Sequence, residues 1–309
     1  MVKTPIDTAE DTAAPDIAAN LLAFGHTLGS QNRSALTVKS YSAAIRLLDD
    51  FLAGRGMPRA VASIRREHIE AFIEDQLERL RPASAANRYR SLQQFFKWLV
   101  EEGEIQTSPM ARMHPPTIPE TPPPVLREAA LAALKKATAG VDFEARRDRA
   151  IIDLFHDSGI RLAEMAGLKL ADIDLNVRTV WVTGKGDRPR QVPFDFETAR
   201  ALDRYVRKSR SQHPHAGLPW LWIGKKGRLT STGISQVVKR RGLEAGITGL
   251  HPHLFRHTFA HEMSRDGMQE TELMRLAGWK SRLMVGRYGA SAADERALAS
   301  YRALKDRTR

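Results

Sequence analysis

The chain has 309 residues, of which 42% are hydrophobic, and it contains no cysteine. This length is enough for about two domains, while the lack of thiols excludes disulfide frameworks and thiolate zinc sites. No apolar run approaches the roughly 18 residues that span a membrane, and the first residues do not resemble a signal peptide. We therefore expect a cytoplasmic protein without a membrane segment.

A basic excess is the most informative feature of the composition. The formal net charge is +12; residues 1–105 carry 13 Lys and Arg against 14 Asp and Glu, so the remainder carries 35 against 22. A well-solvated surface is the simpler explanation. An excess concentrated in one part of the chain nevertheless favours a nucleic acid as the partner.

The first predicted domain, residues 17–106, is all-helical, and the acidic residues 1–16 are predicted to form a disordered tail. Helices are indicated by apolar residues at helical spacing in "SALTVKSYSAAIRLLDDFLAGRG", "REHIEAFIEDQLERL" and "SAANRYRSLQQFFKWLVEEG". In the last of these, Arg88 and Arg90 lie away from much of the apolar stripe. They are either ordinary surface charges or residues that face a DNA groove.

A proline-rich segment, residues 107–125, separates the two predicted domains. It reads "TSPMARMHPPTIPETPPPV", with seven prolines that remove amide donors and favour an extended backbone. We expect this segment to be a linker between a first domain of about 85 to 90 residues and a second of about 180, residues 126–309.

The second domain is predicted to combine helices with a small antiparallel β-sheet. Val180 and Val182 alternate with other side chains before a glycine-flanked turn in "RTVWVTGKGDRPRQVPF", which predicts a hairpin. Helices are indicated in "LREAALAALKKAT", "FEARRDRAIIDLFHDSG", "ETARALDRYVRKSR", "TSTGISQVVKRRGLEAG" and "HPHLFRHTFAHEM". The predicted fold class is therefore mainly α, in two domains.

An arginine follows directly on a helix break in "DSGIRLAEMAG". Gly159 ends one predicted helix, and Arg161 opens the next with Glu164 one turn later. The guanidinium of such an arginine can point out of the domain while the carboxylate orients it. An ordinary surface pair at i, i+3 spacing is the alternative.

A lysine lies at the predicted tip of the hairpin. Gly184 and Gly186 remove bulk on either side of Lys185, so its flexible ammonium group is presented at the turn. The alternative is a lysine that serves only solubility.

Four histidines and an arginine lie within "HPHLFRHTFAHEM". His253, His257 and His261 repeat at a spacing of four, which would allow a shared zinc ion. No cysteine or suitably placed carboxylate completes such a set, so we expect no metal. Arg256, three residues after His253, could hold an anion together with it, although this spacing also occurs by chance.

Two aromatic residues, Trp279 and Tyr288, follow nine positions apart. On one unbroken helix they would lie on opposite sides, but Gly278 and Ser281 allow a break between them. The small residues beside Tyr288 favour a loosely packed, mobile phenol, and buried core aromatics are the alternative.

In this order and spacing, the singled-out residues resemble the signature of the tyrosine recombinase, or phage integrase, family, and the resemblance covers nearly the entire chain. The family pattern is an arginine in a "TGxRxxE" turn, a hairpin lysine, HxxR, a histidine or tryptophan, and a tyrosine nine residues later. The matching positions are Arg161 with Glu164, Lys185, His253 with Arg256, Trp279 and Tyr288. The turn reads "SGIR" here, and an indole N–H would replace the imidazole donor of many members.

The resemblance implies site-specific DNA recombination through a covalent 3′-phosphotyrosine, in integration, excision or dimer resolution. The tyrosine would attack the scissile phosphate while the two arginines hold its oxygens. The histidine and tryptophan would add donors, the glutamate would orient its arginine, and the lysine would be the general acid. No metal, cofactor or ATP is implied, because the phosphotyrosine bond retains the energy of the broken phosphodiester.

It also implies a clamp on double-stranded DNA, with a helical, SAM-like domain that binds the core site and an α+β catalytic domain. The groove candidates in the first domain are Thr37, Lys39, Arg88 and Arg90. A terminal segment, residues 292–305, would dock onto a neighbouring protomer, which gives a homotetramer on paired core sites. A paralogous recombinase or accessory factor is a further candidate partner, and localisation at the nucleoid is expected.

Three other functions share part of this pattern. A type IB topoisomerase would use the same chemistry and would relax supercoiled plasmids without a specific site. A catalytically silent DNA-binding protein would only occupy sites, although the complete set of seven residues argues against lost catalysis. A metal-dependent nuclease would be inhibited by EDTA.

Overall fold

The computed structural model describes most of the chain in three continuous stretches, residues 16–119, 123–184 and 189–279. It also describes twelve residues beyond these stretches: 281, 282, 285, 286, 292, 295, 297, 298, 301, 302, 304 and 305. The chain divides into two compact units, Met1–Glu120 and Thr121–Arg309, and each is described by itself. Among the described residues, no helix is both long and apolar enough to cross a membrane.

The described part of the first unit contains four α-helices, and three of them lie in the stretches where the sequence indicates helices. They are α1 (Ile17–Ser30), α2 (Ala35–Gly54), α3 (Arg66–Arg79) and α4 (Pro82–Glu101). Local capping explains where they begin: the Asp16 carboxylate accepts from the amide of Ala19 at 2.9 Å, and the Ser34 hydroxyl accepts from Thr37 at 3.1 Å. Pro82 occupies the first turn of α4, where its missing N–H costs no hydrogen bond.

Aromatic side chains fill the core of the first unit. Phe24 and Phe96 both lie 5.5 Å from the ring of Phe95, and all three rings are buried. Met110, within the segment that the sequence predicts to be a linker, is 2% exposed and belongs to this core. The first part of the proline-rich segment therefore packs onto the helices.

The second unit combines seven α-helices with two small antiparallel sheets in its described part. The elements are α5 (Glu128–Ala137), α6 (Phe143–Ser158), α7 (Leu162–Gly167), β1 (Ile173–Asp174), β2 (Thr179–Thr183), β3 (Pro189–Pro193), α8 (Phe196–Lys208), β4 (Ile223–Gly224), β5 (Gly227–Arg228), α9 (Ser231–Glu244), α10 (Pro252–Arg265) and α11 (Glu270–Ala277). The mainly α, two-domain fold class is confirmed.

The predicted hairpin supplies β2 and β3 of the larger sheet, whose order is β1-β2-β3. Val180 lies opposite Val192, and Val182 lies opposite Arg190. Because side chains alternate along a strand, these four share one face of the sheet. The three valines are buried, so that face is the one that packs on the core.

Helix α6 lies at the centre of the second unit and packs against α8, α9 and α10. The rings of Phe155 on α6 and Phe255 on α10 are stacked 5.9 Å apart. Polar contacts also join α6 to α9, because the fully buried carboxylate of Asp148 accepts from Arg240 at 2.6 Å and from Arg241 at 2.9 Å. The stacked ring of Phe155 lies near the carboxyl end of α6, where the site begins, whereas the bonds to Asp148 hold the first half of the helix.

Candidate functional site

The site begins where α6 stops. Gly159 adopts the left-handed conformation, with φ 54° and ψ 20°, and its amide donates to the carbonyl of Phe155 at 3.0 Å. The chain then changes direction, and Arg161 is the N-cap of the next helix, α7. The break after glycine therefore presents the arginine at the start of a helix, as the sequence predicts.

The guanidinium of Arg161 is held at two points. Its Nη1 donates to Oε1 of Glu164 at 2.9 Å, and its Nη2 donates to the carbonyl of Gly278 at 2.9 Å. The Arg161 backbone amide also donates to Oε2 of Glu164 at 2.8 Å. The arginine side chain remains 38% exposed, so it can be reached from solvent.

The second arginine of the site, Arg256 on α10, is buried and held by carbonyl groups. Its Nη1 donates to Gly159 O at 2.7 Å and its Nη2 to Ala277 O at 2.6 Å. These two carbonyls lie at the carboxyl ends of α6 and α11, where helix dipoles place negative potential. The guanidinium also lies 5.2 Å from the centre of the Trp279 ring, a cation–π contact.

The end of α11 places the two arginines side by side. Gly278 ends this helix in the left-handed conformation, with φ 63°. Consecutive carbonyls, those of Ala277 and Gly278, accept from Arg256 and from Arg161 respectively. Two permanent cations from distant parts of the sequence are thus anchored to one turn of backbone.

His253 lies one turn before Arg256 on α10, and its side chain is exposed. Although it is exposed, the imidazole is partly shielded from water by neighbouring groups; this desolvation lowers its pKa, and the charges of Arg256, His251 and Arg161 lower it further. The ring is therefore neutral at pH 7. A neutral imidazole beside two guanidinium groups can donate one N–H and accept a proton at its other nitrogen.

His257 and His261 share the helix with His253 but differ in surroundings. The rings of His253 and His257 meet edge to face at 6.2 Å. Burial, followed by the charge of His253, lowers the pKa of His257 to about 4. His261 is buried, and its Nε2 lies 3.5 Å from the carboxylate of Glu295. Within the described residues, no three His, Asp or Glu side chains gather as a metal site.

Glu164 is the buried anion of the site, with a side chain only 4% exposed. Burial by itself would raise the pKa of the carboxyl, but bonds from Arg190 and from the amide and guanidinium of Arg161 outweigh it and lower the pKa. The carboxylate therefore stays ionised at neutral pH. An ionised Glu164 can fix the orientation of Arg161.

Arg190 is a further residue of the site, which the sequence motifs did not single out. This residue follows the hairpin turn on β3, and its Nη1 and Nη2 donate to the two oxygens of Glu164 at 2.8 and 2.9 Å. A signal for it existed, because two-residue periodicity places Arg190 on the same core-facing side as Val192. An arginine on a buried strand face needs an anionic partner.

Trp279 is buried in a small apolar cluster beside the site, together with Phe259, Leu273 and Val285. Its ring supports the guanidinium of Arg256 from one side. The structure therefore brings together Arg161, Glu164, His253, Arg256 and Trp279. The two other predicted site residues, Lys185 and Tyr288, lie outside the described residues.

The DNA-binding candidates of the first unit lie on α2 and α4. Thr37 is half-buried, with its hydroxyl 2.8 Å from that of Ser34 in the cap of α2. Lys39 is exposed on the same helix. On α4, Arg88 is half-buried, while the exposed Arg90 donates to the side chain of Asn87 at 3.1 Å.

The predicted docking segment exposes apolar side chains. Leu298, Tyr301 and Leu304 are 57%, 61% and 65% exposed. Side chains of this size are more often buried than exposed, and three of them close together in sequence mark a surface that suits a partner.

Comparisons with known proteins match both units of the chain. The model of the phage integrase family matches residues 124–295, and the model of the phage integrase N-terminal SAM-like domain matches residues 23–103. The chain is 28% identical over 257 residues to tyrosine recombinase XerC of Oceanobacillus iheyensis, which covers 81% of this chain and 84% of that protein. It is 31% identical over 216 residues to tyrosine recombinase XerC of Azotobacter vinelandii, and this match covers 70% of this chain and 69% of that protein.

Solved structures of similar fold include several recombinases bound to DNA. The Tn1549 transposon integrase in complex with transposon right end DNA matches with a TM-score of 0.74 and 20% identity, over 94% of this chain and 100% of that chain. XerH site-specific recombinase bound to palindromic difH substrate matches with a TM-score of 0.72 and 18% identity, over 92% and 84%. At these identities the likeness shows the fold.

Proposed function

This chain belongs to the phage integrase family of tyrosine recombinases, and we propose that it cleaves and rejoins DNA through a covalent bond between Tyr288 and a DNA 3′ phosphate. The observation that carries the proposal is the pair of guanidinium groups, Arg161 and Arg256, anchored to consecutive carbonyls of one turn. Neighbouring arginines, one of which can be reached from solvent, suit a phosphate diester.

Cleavage proceeds as a transesterification in which one P–O bond replaces another. The phenol oxygen of Tyr288 attacks phosphorus, the bond from phosphorus to the 5′ oxygen breaks, and the phenolic proton is lost. Because a phenol has a pKa of about 10, attack at neutral pH requires a group that accepts this proton. Negative charge develops on the non-bridging oxygens, which the two arginines offset.

The remaining site residues assist the same step. His253, neutral because partial desolvation and neighbouring cations lower its pKa, donates an N–H to a non-bridging oxygen. Lys185 protonates the departing 5′ oxygen, and Glu164 orients the fork of Arg161. Trp279 contacts the guanidinium of Arg256 and so helps to place it. Reversal by another 5′ hydroxyl rejoins the strands without metal or ATP.

Double-stranded DNA is the substrate, and the first unit binds its core site. The model match over residues 23–103 supports a SAM-like domain there, and the exposed cations Lys39 and Arg90 are candidates for phosphate contacts. Similar folds bound to DNA include a lambda integrase dimer and a lambda integrase tetramer. The exposed apolar residues of the 292–305 segment support assembly of a homotetramer on paired sites.

Dimer resolution, integration and excision use the same strand exchange and differ in the DNA sites that are joined. The relatives are named tyrosine recombinases, which supports strand exchange of this kind for this chain. A paralogous recombinase or an accessory factor would act at the same sites. The enzyme works where chromosomal DNA lies, at the nucleoid in the cytoplasm.

The proposal is tested by trapping the covalent intermediate. Nicked duplexes with a randomised core are incubated with the full chain, proteins are denatured, and DNA attached to protein is sequenced to recover the preferred site. On a nicked substrate of that sequence, wild type accumulates adduct, Tyr288→Phe forms none, and Tyr89→Phe, in the core of the first unit, serves as the matched control. Adduct that persists in Tyr288→Phe would overturn the proposal.

A second assay separates recombination from topoisomerase activity, which uses the same bond changes. Supercoiled plasmids with two, one or no copies of the recovered site are incubated with the enzyme. Recombined circles from the two-site plasmid are expected. Relaxation that proceeds equally fast on all three plasmids, without recombinant product, would identify a type IB topoisomerase instead.

A further inference from the structure

We propose that Arg190 is a positioning residue for DNA cleavage. Its charge keeps Glu164 from cancelling the charge of Arg161, and its hydrogen bonds connect this pair to the end of α11. The inference rests on the proposed function, because it concerns the arginine that holds the scissile phosphate. Arg190 itself acts through other residues. Its side chain is only 12% exposed, and its described contacts are within the protein.

The guanidinium of Arg190 uses all three of its nitrogens. Nη1 and Nη2 form the bidentate pair with Glu164, and Nε donates to the carbonyl of Leu276 at 2.8 Å. A bidentate pair fixes both the distance and the plane of the carboxylate. Arg190 on β3 therefore fixes the orientation of the Glu164 carboxylate, and Arg161 bonds to a carboxylate of fixed position.

Charge balance gives Arg190 a second effect. Arg161 and Glu164 alone form a neutral pair, so this pair would add little net positive charge to that of the neighbouring Arg256 for an approaching phosphate. With Arg190 included, two cations share one anion and the group carries a net charge of +1. Arg190 thus supplies the counter-charge for Glu164, which leaves the charge of Arg161 available to the phosphate.

Three consecutive carbonyls at the end of α11 accept from three different arginines. Leu276 O accepts from Arg190, Ala277 O from Arg256, and Gly278 O from Arg161. The first of these bonds therefore supports the turn on which the two phosphate-binding arginines depend.

Close packing at Gly278 makes the arrangement specific for an arginine. A Cβ atom at Gly278 would lie 3.1 Å from Cζ of Arg190, so the guanidinium plane fills the space that this glycine leaves. The glycine also needs its positive φ of 63°. A lysine at position 190 would retain the charge but could not contact both carboxylate oxygens and Leu276 O together.

The test measures single-turnover cleavage on the nicked substrate at saturating DNA, together with affinity for intact DNA. Arg190→Met is compared with Arg178→Met, which removes the same charge from the exposed turn at the other end of β2. We expect Arg190→Met to slow cleavage by about 10- to 100-fold while the DNA dissociation constant changes less than about threefold. The cleavage rate of Arg190→Lys should lie between the rates of Arg190→Met and wild type.

A double variant distinguishes charge balance from mere structural support. In Glu164→Gln/Arg190→Met the unbalanced anion is gone, so we expect cleavage at least about threefold faster than in Arg190→Met. If Arg190 gave only structural support, the double variant would instead cleave more slowly than Arg190→Met. Thermal unfolding is recorded for every variant; if Arg190→Met does not fold, Arg190→Gln, which also removes the charge, is compared with and without Glu164→Gln, with the same expected order.

Two results would overturn the inference: cleavage by Arg190→Met within twofold of Arg178→Met, or a double variant no faster than its Arg190 parent. Failure of the proposed function looks different. In that case wild type forms no adduct, or Tyr288→Phe still forms one.

Discussion

Gly159 lies against the ring of Phe259 so closely that a Cβ atom on the glycine would be 2.5 Å from Cδ1 of the ring. The same glycine needs its left-handed backbone, and its carbonyl accepts from Arg256. Gly159 therefore joins the end of α6, the packing of α10 and the position of a guanidinium. No other residue type has both the conformation and the small size that this position requires.

Gly159→Ala is accordingly expected to lower both stability and cleavage. The strained φ and the clash with Phe259 should reduce the free energy of unfolding by about 2–4 kcal/mol. Urea unfolding and the adduct assay measure the two effects. Gly167→Ala is the control, because a Cβ there meets nothing within 4 Å and the backbone is not left-handed. Equal stability of the two variants would contradict this account of the packing.

Arg256→Lys should abolish most cleavage although the charge is conserved. A single ammonium cannot reproduce the planar fork that reaches Gly159 O and Ala277 O while it holds a phosphate oxygen. We expect single-turnover cleavage to fall by about 100-fold or more. Arg265→Lys, an exposed substitution on the same helix, should cleave like wild type. Comparable rates for both variants would mean that only the charge of Arg256 matters.

His156 predicts a pH dependence of stability. Burial alone would lower the pKa of its imidazole, but the carboxylates of Asp157 at 3.1 Å and Glu262 at 3.2 Å raise the pKa to about 9. A folded-state pKa above the ordinary value of 6.5 stabilises the protein fully below about pH 6.5, and the contribution is lost as pH rises through about 9. The shift in pKa corresponds to a contribution of at most about 3 kcal/mol to the free energy of unfolding.

The measurement is urea unfolding between pH 6 and pH 9.5 with His156→Gln as the variant. Wild type should lose stability across this range, whereas the difference between wild type and variant should shrink as pH rises. His215→Gln is a control in the same unit, because the His215 ring contacts the carbonyl of Lys225 instead of a carboxylate. A difference between wild type and His156→Gln that stays constant with pH would refute the raised pKa.

The first unit should contribute phosphate contacts to DNA binding. Lys39→Ala and Arg90→Ala are each expected to weaken binding and to reduce the slope of log affinity against log salt by about 0.9. Lys97→Ala is the control, since this exposed lysine on α4 pairs with Glu101 at 3.4 Å. Filter binding on the recovered site over a range of salt concentrations gives the slopes. If Lys97→Ala reduces the slope as much as Lys39→Ala and Arg90→Ala do, these two residues are not specific phosphate contacts.

The sequence by itself determined the elements of this protein and the order of its chemical groups. Helices such as α2 and α4 follow from apolar residues three and four apart, and the β2–β3 hairpin follows from alternation around a glycine-flanked turn; both are local patterns. The arginine turn at Arg161 was also readable, because glycine and the N-cap act within a few residues. The membership in the phage integrase family rests on that order and was confirmed by the family models.

Only the tertiary structure decided how those groups support one another. Arg190 lies 26 positions from Glu164 and 86 from Leu276, yet it bonds to both. No local pattern specifies which anion an arginine on a core-facing strand will meet, because that depends on how α7, β3 and α11 pack together. The same holds for the neighbouring carbonyls of Ala277 and Gly278, whose direction depends on one left-handed glycine and on two arginines from elsewhere in the chain. Packing of distant segments, and not spacing along the chain, creates the cationic site.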